Sequence, residues 1–267
     1  MLGVLALGLL GSIALPESIA DPTVTVPAGI NHSPWDTLLK KYVDDRGLVN
    51  YGAWQADEAD MQALVDYLAK FAPKPTQDAT GPEEIASLIN VYNAITVRWI
   101  LQNYPTESIR ELDDSWEENR WTVGGRSISL DELEHQNLRP LYGWRVHATI
   151  VCAARSCPPL QPSAFTTDTL AALTEQAYRA WLSRDDLNRY DPQQNEVEIS
   201  SIFKWFQKDF VADGNVKVLL AEWGPKNEQS FLKTSDYDID YMDYHWGLND
   251  QGASGRDYQA SIWSFLF

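Results

Sequence analysis

Residues 85–101, Ile85-Ala-Ser-Leu-Ile-Asn90-Val-Tyr-Asn93-Ala-Ile-Thr96-Val-Arg-Trp-Ile-Leu101, are apolar around most of a helical circumference. That is the pattern of a helix buried on several sides, not one laid on a surface. Pro82 suits its first turn, and Tyr104-Pro105 closes it near Asn103. Asn90, Asn93 and Thr96 step by three and share a face. A buried amide left unpaired costs about 1–3 kcal/mol, so each needs a partner. Either these side chains tie loop backbone to the core, or one of them orients a catalytic base or a substrate.

Before this helix, Trp35, Leu38, Leu39 and Tyr42, and then Met61, Leu64, Val65 and Leu68, repeat the helical spacing, over 35–43 and 57–71. Residues 21–34 hold three prolines and read as an extended lead-in. Leu2 to Leu15 is almost wholly apolar and is followed by Ser18-Ile19-Ala20, with small residues placed for a cut before Asp21. The stretch reads as a signal peptide over 1–20, although no Lys or Arg precedes the apolar run, and implies a periplasmic or secreted protein. It is too short for a membrane span.

After the helix, Trp121 to Ile128 reads as a β-hairpin about Gly124-Gly125, and Ser129-Leu-Asp-Glu132 as a capping box opening a further helix. Arg145–Cys152 is the strongest strand, Thr166–Arg184 an amphipathic helix and Val197–Ser200 a short strand. Helices follow over 201–210 and 216–223, and the chain from Tyr237 is aromatic and irregular. The expected architecture is one α+β domain over 35–267, with helices packed on a small, mainly antiparallel sheet.

Composition narrows the function classes. Lys and Arg number 21 against 38 Asp and Glu, a net charge of −17. Such a field repels polyanions and argues against nucleic acid or anionic lipid as partner. No later segment is apolar for long enough to span a bilayer, so stable membrane insertion is not expected. Two Cys among 267 residues rule out a disulfide scaffold.

Two places carry candidate chemistry. On the helix opened by Ser129, steps of 100° place Glu134 within the stripe of Leu130, Leu138 and Leu141, with Asn137 beside it and His135 at the edge. A carboxylate facing the core needs a cation or several donors. Arg155 and Arg98 are the expected partners in a structural role, and an acid/base or orienting role is the alternative. In Arg145-Val-His147-Ala-Thr149-Ile-Val-Cys152, strand alternation turns Cys152 away from His147 and makes it a small core hydrophobe. The Ala153-Ala-Arg155-Ser156 turn then brings Cys157 to the strand's exit, close enough to Arg155 for a thiolate to be favoured. Three readings stay open: Cys157 as nucleophile with His147 as base, a Cys152–Cys157 disulfide, and a zinc site whose spacing fits no common pattern.

Taken together, these stretches resemble the domain of unknown function 547 family. The matching pieces are Leu88 to Ala94, Ser129 to His135 with Leu138-Arg139, Val146 to Pro158, Ser200 to Phe206 with Asp209-Phe210, and Tyr244 to Asn249. The resemblance implies a single domain, often behind a signal peptide in bacteria, whose site falls here on Asn90, Asn93, Glu134, His135, His147, Cys152 and Cys157. By analogy, the His and Cys pair has a cysteine-peptidase or transglutaminase flavour. Two positions depart from the family: Ala153 stands where Gly is usual, and His245 where Asp is expected.

The expected activity is thiol-dependent acyl transfer or amide hydrolysis on a small-molecule or peptide-like substrate. Cys157 is the nucleophile, His147 the base, Glu134 or Asn93 the orienter, and a backbone N–H at the turn the oxyanion donor. Arg155 and Ser156 are supporting residues, and no cofactor or metal is expected. The alternative is a non-catalytic binding or scaffold module held by a Cys152–Cys157 bridge.

Overall fold

The long helix spans Pro82–Asn103, and every residue from Ala86 to Val97 is buried. Each fully buried Leu, Ile or Val contributes about 1.5–3 kcal/mol, so this helix is the axis around which the rest is arranged. The computed structural model describes residues 23–212, 215–234 and 236–259. The signal peptide expected over 1–20 lies outside them.

Helices Ser33–Tyr42 and Glu58–Ala69 pack beside the axis. Trp35 stacks on Tyr67 at 6.0 Å, and Tyr42 stacks at 4.6 Å on Trp54, from a short helix Tyr51–Gln55 that hydrophobic spacing alone did not mark. The lead-in is anchored by its own backbone: Ala28 N–H donates to Gln77 O, and Ala79 N–H to Val26 O.

Strands β1 (Trp121–Val123) and β2 (Arg126–Ile128) form the expected hairpin. Strands β3 (Arg189–Asp191), β4 (Glu196–Ser200) and β5 (Asp238–Met242) form a second sheet, in which β3–β4 is antiparallel and β4–β5 parallel. Val197 and Ile199 of β4 pack into a second apolar cluster with Trp181, Phe203 and Leu220. The result is the α+β domain expected, with Leu170–Leu182 as the amphipathic helix covering this sheet.

The strand expected over Arg145–Cys152 does not form. Gly143–Ala148 is a 3₁₀ turn, and among the described residues no strand runs along 149–152. Asn93 replaces the missing ladder: its Nδ2 donates to Thr149 O at 2.8 Å, and its Oδ1 accepts from Val151 N–H at 2.9 Å. One amide side chain thus supplies the donor and acceptor that an adjacent strand would offer. Asn90 clamps Phe165 in the same way, through Nδ2 to its O and Oδ1 to its N–H.

Candidate functional site

The helical segment bearing Glu134 starts as its sequence specifies, with Ser129 Oγ accepting from Glu132 N–H at 3.0 Å. Its middle, Leu133–Leu138, is a π-turn, closed by Arg139 N–H donating to Glu134 O. Pro140 explains the widening, because a proline ring inside a regular helix presses on the carbonyl four residues earlier and donates nothing to it. The widened turn departs from the 100° step and leaves Glu134 half-buried at the wall of a cavity of about 230 Å³. Asn137 does face inward, where it accepts from Val24 N–H and donates to Thr23 Oγ1 and Glu132 O.

Neither expected arginine meets Glu134. Arg155 donates instead to the carbonyls of Asp250 and Ser254, and Arg98 lines other grooves. Glu134 accepts a hydrogen bond from Tyr92 OH at 3.3 Å.

The same cavity is lined by His135, His147, Cys152 and Cys157. Because 145–152 is not a strand, the alternation that separated Cys152 from His147 does not apply, and Cys152 is a wall of the cavity. The two sulfurs lie 3.0 Å apart as free thiols, and Cys152 N–H points at Cys157 Sγ, also at 3.0 Å.

The two thiols differ in environment. Burial pushes the Cys157 thiol well up, and the neighbouring Cys152 adds to that. Cys152 is pulled down, first by its hydrogen bond with Cys157 and, against its own desolvation, by Tyr244 OH and Ala154 N–H. Tyr244 OH is 3.2 Å from Cys152 Sγ, and burial raises the phenol's own pKa, which keeps it a proton donor. Their surroundings thus push the two thiols apart, Cys152 down and Cys157 up.

His147 is held by a group that sequence reasoning did not assign to the site. Its Nε2 donates to Asp209 Oδ2 at 2.7 Å, and its ring lies between Phe206 (4.3 Å) and Phe210 (5.3 Å). Arg139 grips Asp209 with both arms, Nε at 2.8 Å and Nη2 at 2.9 Å. Desolvation works to raise the Asp209 pKa, but the hydrogen bonds from His147 and Arg139 outweigh it and hold the carboxyl well below its ordinary range. The carboxylate that meets His147 is therefore Asp209, while Glu134 meets Tyr92 and Asn93 meets loop backbone. The signal available was the pairing of Leu138-Arg139 with Asp209-Phe210 in the family pattern, with no spacing to tie them together.

Of the other candidates, only His135 reaches the cavity wall. Asn90 and Asn93 spend their amides on loop backbone, and Ser156 Oγ accepts from His245 N–H. His135, at the cavity wall, pairs with Asp131 at 3.3 Å and touches Arg139. The turn amides of Arg155, Ser156 and Cys157 donate to Gly247 O, His245 O and Ala154 O, so they offer nothing to an oxyanion. The bonds from Arg155 and Ser156 sew the Cys loop to the segment 244–249, whose Gly247 packs in turn against Gly255: a Cβ there would meet Gly255 O at 1.9 Å. Ala153, in the family's glycine position, has φ +58°, the left-handed region that favours glycine. His245 turns its Nδ1 to Gly247 N–H and is not a wall of the cavity. Among the described residues no group of three His, Cys, Asp or Glu is arranged to hold a metal ion, and no helix is long and apolar enough to cross a membrane.

Fold and site together define an α+β domain with a thiol pair, an imidazole and a carboxylate brought to one cavity. Residues 76–182 match the model of the family described as Protein of unknown function, DUF547, and this match supports the chain as a member of that family. The matched segment carries Glu134, His147 and both cysteines, while Asp209 and Tyr244 come from beyond it. No curated protein and no solved structure matches the chain.

Proposed function

We propose that the domain is a thiol-dependent acyl transferase or amide hydrolase with Cys152 as nucleophile. The observation that carries this reading is the convergence of two free thiols, one of them lowered in pKa, and an Asp-held imidazole on one cavity. A thiolate is the reactive form of cysteine, and a positioned base raises its fraction.

The steps follow from the groups at hand. His147 takes the Cys152 proton on Nδ1, its Nε2 being engaged by Asp209. The thiolate adds to the substrate carbonyl, and the developing oxyanion accepts from Tyr244 OH. The C–N bond breaks, the imidazolium returns its proton to the leaving amine, and a thioester remains on Cys152. Water, or an acceptor amine, then attacks the thioester while His147 takes the incoming proton, and the acyl product leaves with the thiolate restored. Asp209 keeps the imidazole in one tautomer and stabilises its charged form.

A panel of p-nitrophenyl esters and aminoacyl p-nitroanilides, run under reductant with wild type, Cys152→Ser and Cys157→Ser, tests this. Cys152→Ser is expected to lose at least about 10³-fold in rate, equivalent to about 4 kcal/mol. Iodoacetamide at neutral pH is expected to mark Cys152 first. Turnover that survives Cys152→Ser overturns the reading. The contact of the two sulfurs favours the second reading, a binding module closed by a Cys152–Cys157 bridge; a bridge that persists in native exported protein, without activity after mild reduction, would decide for it. Export itself is proposed from Leu2–Leu15 and Ser18-Ile19-Ala20. Mass spectrometry of the secreted or periplasmic protein, beginning at Asp21, is the expected result.

A further inference from the structure

The cavity that holds the thiols has an uneven charge. Three carboxylates line it, Glu117, Asp131 and Glu134, and no Lys or Arg does among the described residues. Asp131 is paired with His135, but Glu134 meets only Tyr92 OH, and Glu117 shows no partner among the described residues. A half-buried carboxylate beside two thiols, without a cation, is costly unless something else neutralises it.

The remaining wall is aromatic. Trp205, 49% exposed, lies nearly parallel to Trp246 at 5.9 Å, and Tyr244 sits 4.8 Å from Trp205. These rings already attract positive charge: Arg110 lies 4.9 Å from the Trp246 ring and Arg139 5.0 Å from Phe206. A carboxylate next to ring faces is the arrangement that binds an ammonium or guanidinium.

We infer that the cavity recognises the positively charged end of its substrate, an acyl compound carrying a primary amine or guanidinium a few bonds from the reacting carbonyl, with Glu134 as the main counter-ion and Glu117 as the outer one. The acyl part of this assignment rests on the thiol reading above; the cation site does not. It gives Glu134 the task left to it once Asp209 orients His147. It also has a consequence for the nucleophile, because the Glu134 charge opposes a thiolate on Cys152. A bound cation cancels that opposition, so the right substrate helps to form the nucleophile that attacks it.

Calorimetric titration of the full chain with three matched probes tests the site: the Nα-acetyl N-methylamides of lysine, norleucine and glutamate. The lysine probe is expected to bind at least about tenfold more tightly than norleucine, the scale of one desolvated ion contact, and the glutamate probe more weakly still. Glu134→Gln is expected to remove most of the lysine preference and leave norleucine within about twofold, with Glu117→Gln doing the same to a smaller degree. Raising salt from about 50 to 500 mM should weaken only the lysine probe, a check on wild type that needs no variant to fold. Equal binding of lysine and norleucine, tighter binding of glutamate, or a lysine preference unchanged in Glu134→Gln overturns the inference. Repeating the titration on Cys152→Ser separates the two proposals: lysine preference without any thiol-dependent turnover fells the enzyme reading alone, and turnover of neutral acyl compounds without lysine preference fells the cation site alone.

Discussion

The long helix and the cavity wall treat polar side chains in opposite ways. On the helix, the amides of Asn90 and Asn93 each hold the backbone of a single loop by one donated and one accepted hydrogen bond. On the wall, Glu134 has one hydrogen bond of 3.3 Å and Glu117 none among the described residues. A buried polar group bonded through both its donor and its acceptor is structural, because removing it strands its partners. A group left short of partners at a cavity is where a ligand completes the set.

The largest expected effect tests that contrast directly. Asn93→Ala should cost about 3 kcal/mol, since it leaves both Thr149 O and Val151 N–H buried without a partner. Glu134→Gln, by contrast, should move stability by less than about 1 kcal/mol. Urea unfolding of both variants checks the pair; a Glu134→Gln loss as large as that of Asn93→Ala would break the distinction.

Next comes the charge behind the imidazole. Asp209→Asn should lower the rate about 10- to 100-fold and change its pH profile, because an amide no longer stabilises imidazolium. Folding should respond as well. The Asp209 carboxyl is depressed in the folded state, so its stabilisation is complete above its unfolded value near 4 and fades on acidification below that. Urea midpoints between pH 5 and 2 should fall less for Asp209→Asn than for wild type.

His32 provides a milder comparison, a half-buried imidazole outside the cavity. It rests against Tyr67 and Phe71, with Nδ1 2.8 Å from Tyr67 OH, and burial pushes its pKa down to about 4. The unfolded chain therefore binds the proton first. Stability is full above about 6.5 and declines as pH falls from there toward 4. Thermal melts across that window should slope less for His32→Gln than for wild type. The smallest effect belongs to Ala153→Gly. Relief of a left-handed alanine, about 1–2 kcal/mol, is offset by the lost buried methyl and by glycine's chain entropy, so the net change should stay within about 1 kcal/mol.

What the sequence revealed follows the range of the interactions involved. The helix 82–103, the hairpin about Gly124-Gly125 and the Ser129 cap depend on neighbours within a few residues, and all are where local pattern put them. The stretch 145–152 misled because its alternation is genuine while its partner is a side chain, Asn93, with no strand beside it. The π-turn at 133–138 arises from Pro140 acting backward on the helix, which a fixed 100° step ignores. His147 and the cysteines were legible as chemistry. Asp209 was not, being 62 residues away from His147 in sequence, nor was Tyr244, whose hydroxyl meets Cys152 from 92 residues away.

The stitching of the Cys loop to residues 244–249 sets an order of events during synthesis. Cys152 and Cys157 leave the ribosome well before Tyr244 and Gly247, and only these late residues fix the loop and supply the hydroxyl beside Cys152. Closing a loop of that length carries an entropic cost that grows slowly with its size, and nothing repays it until the last partner has arrived. The surroundings that set the two thiols apart are thus complete only as folding ends.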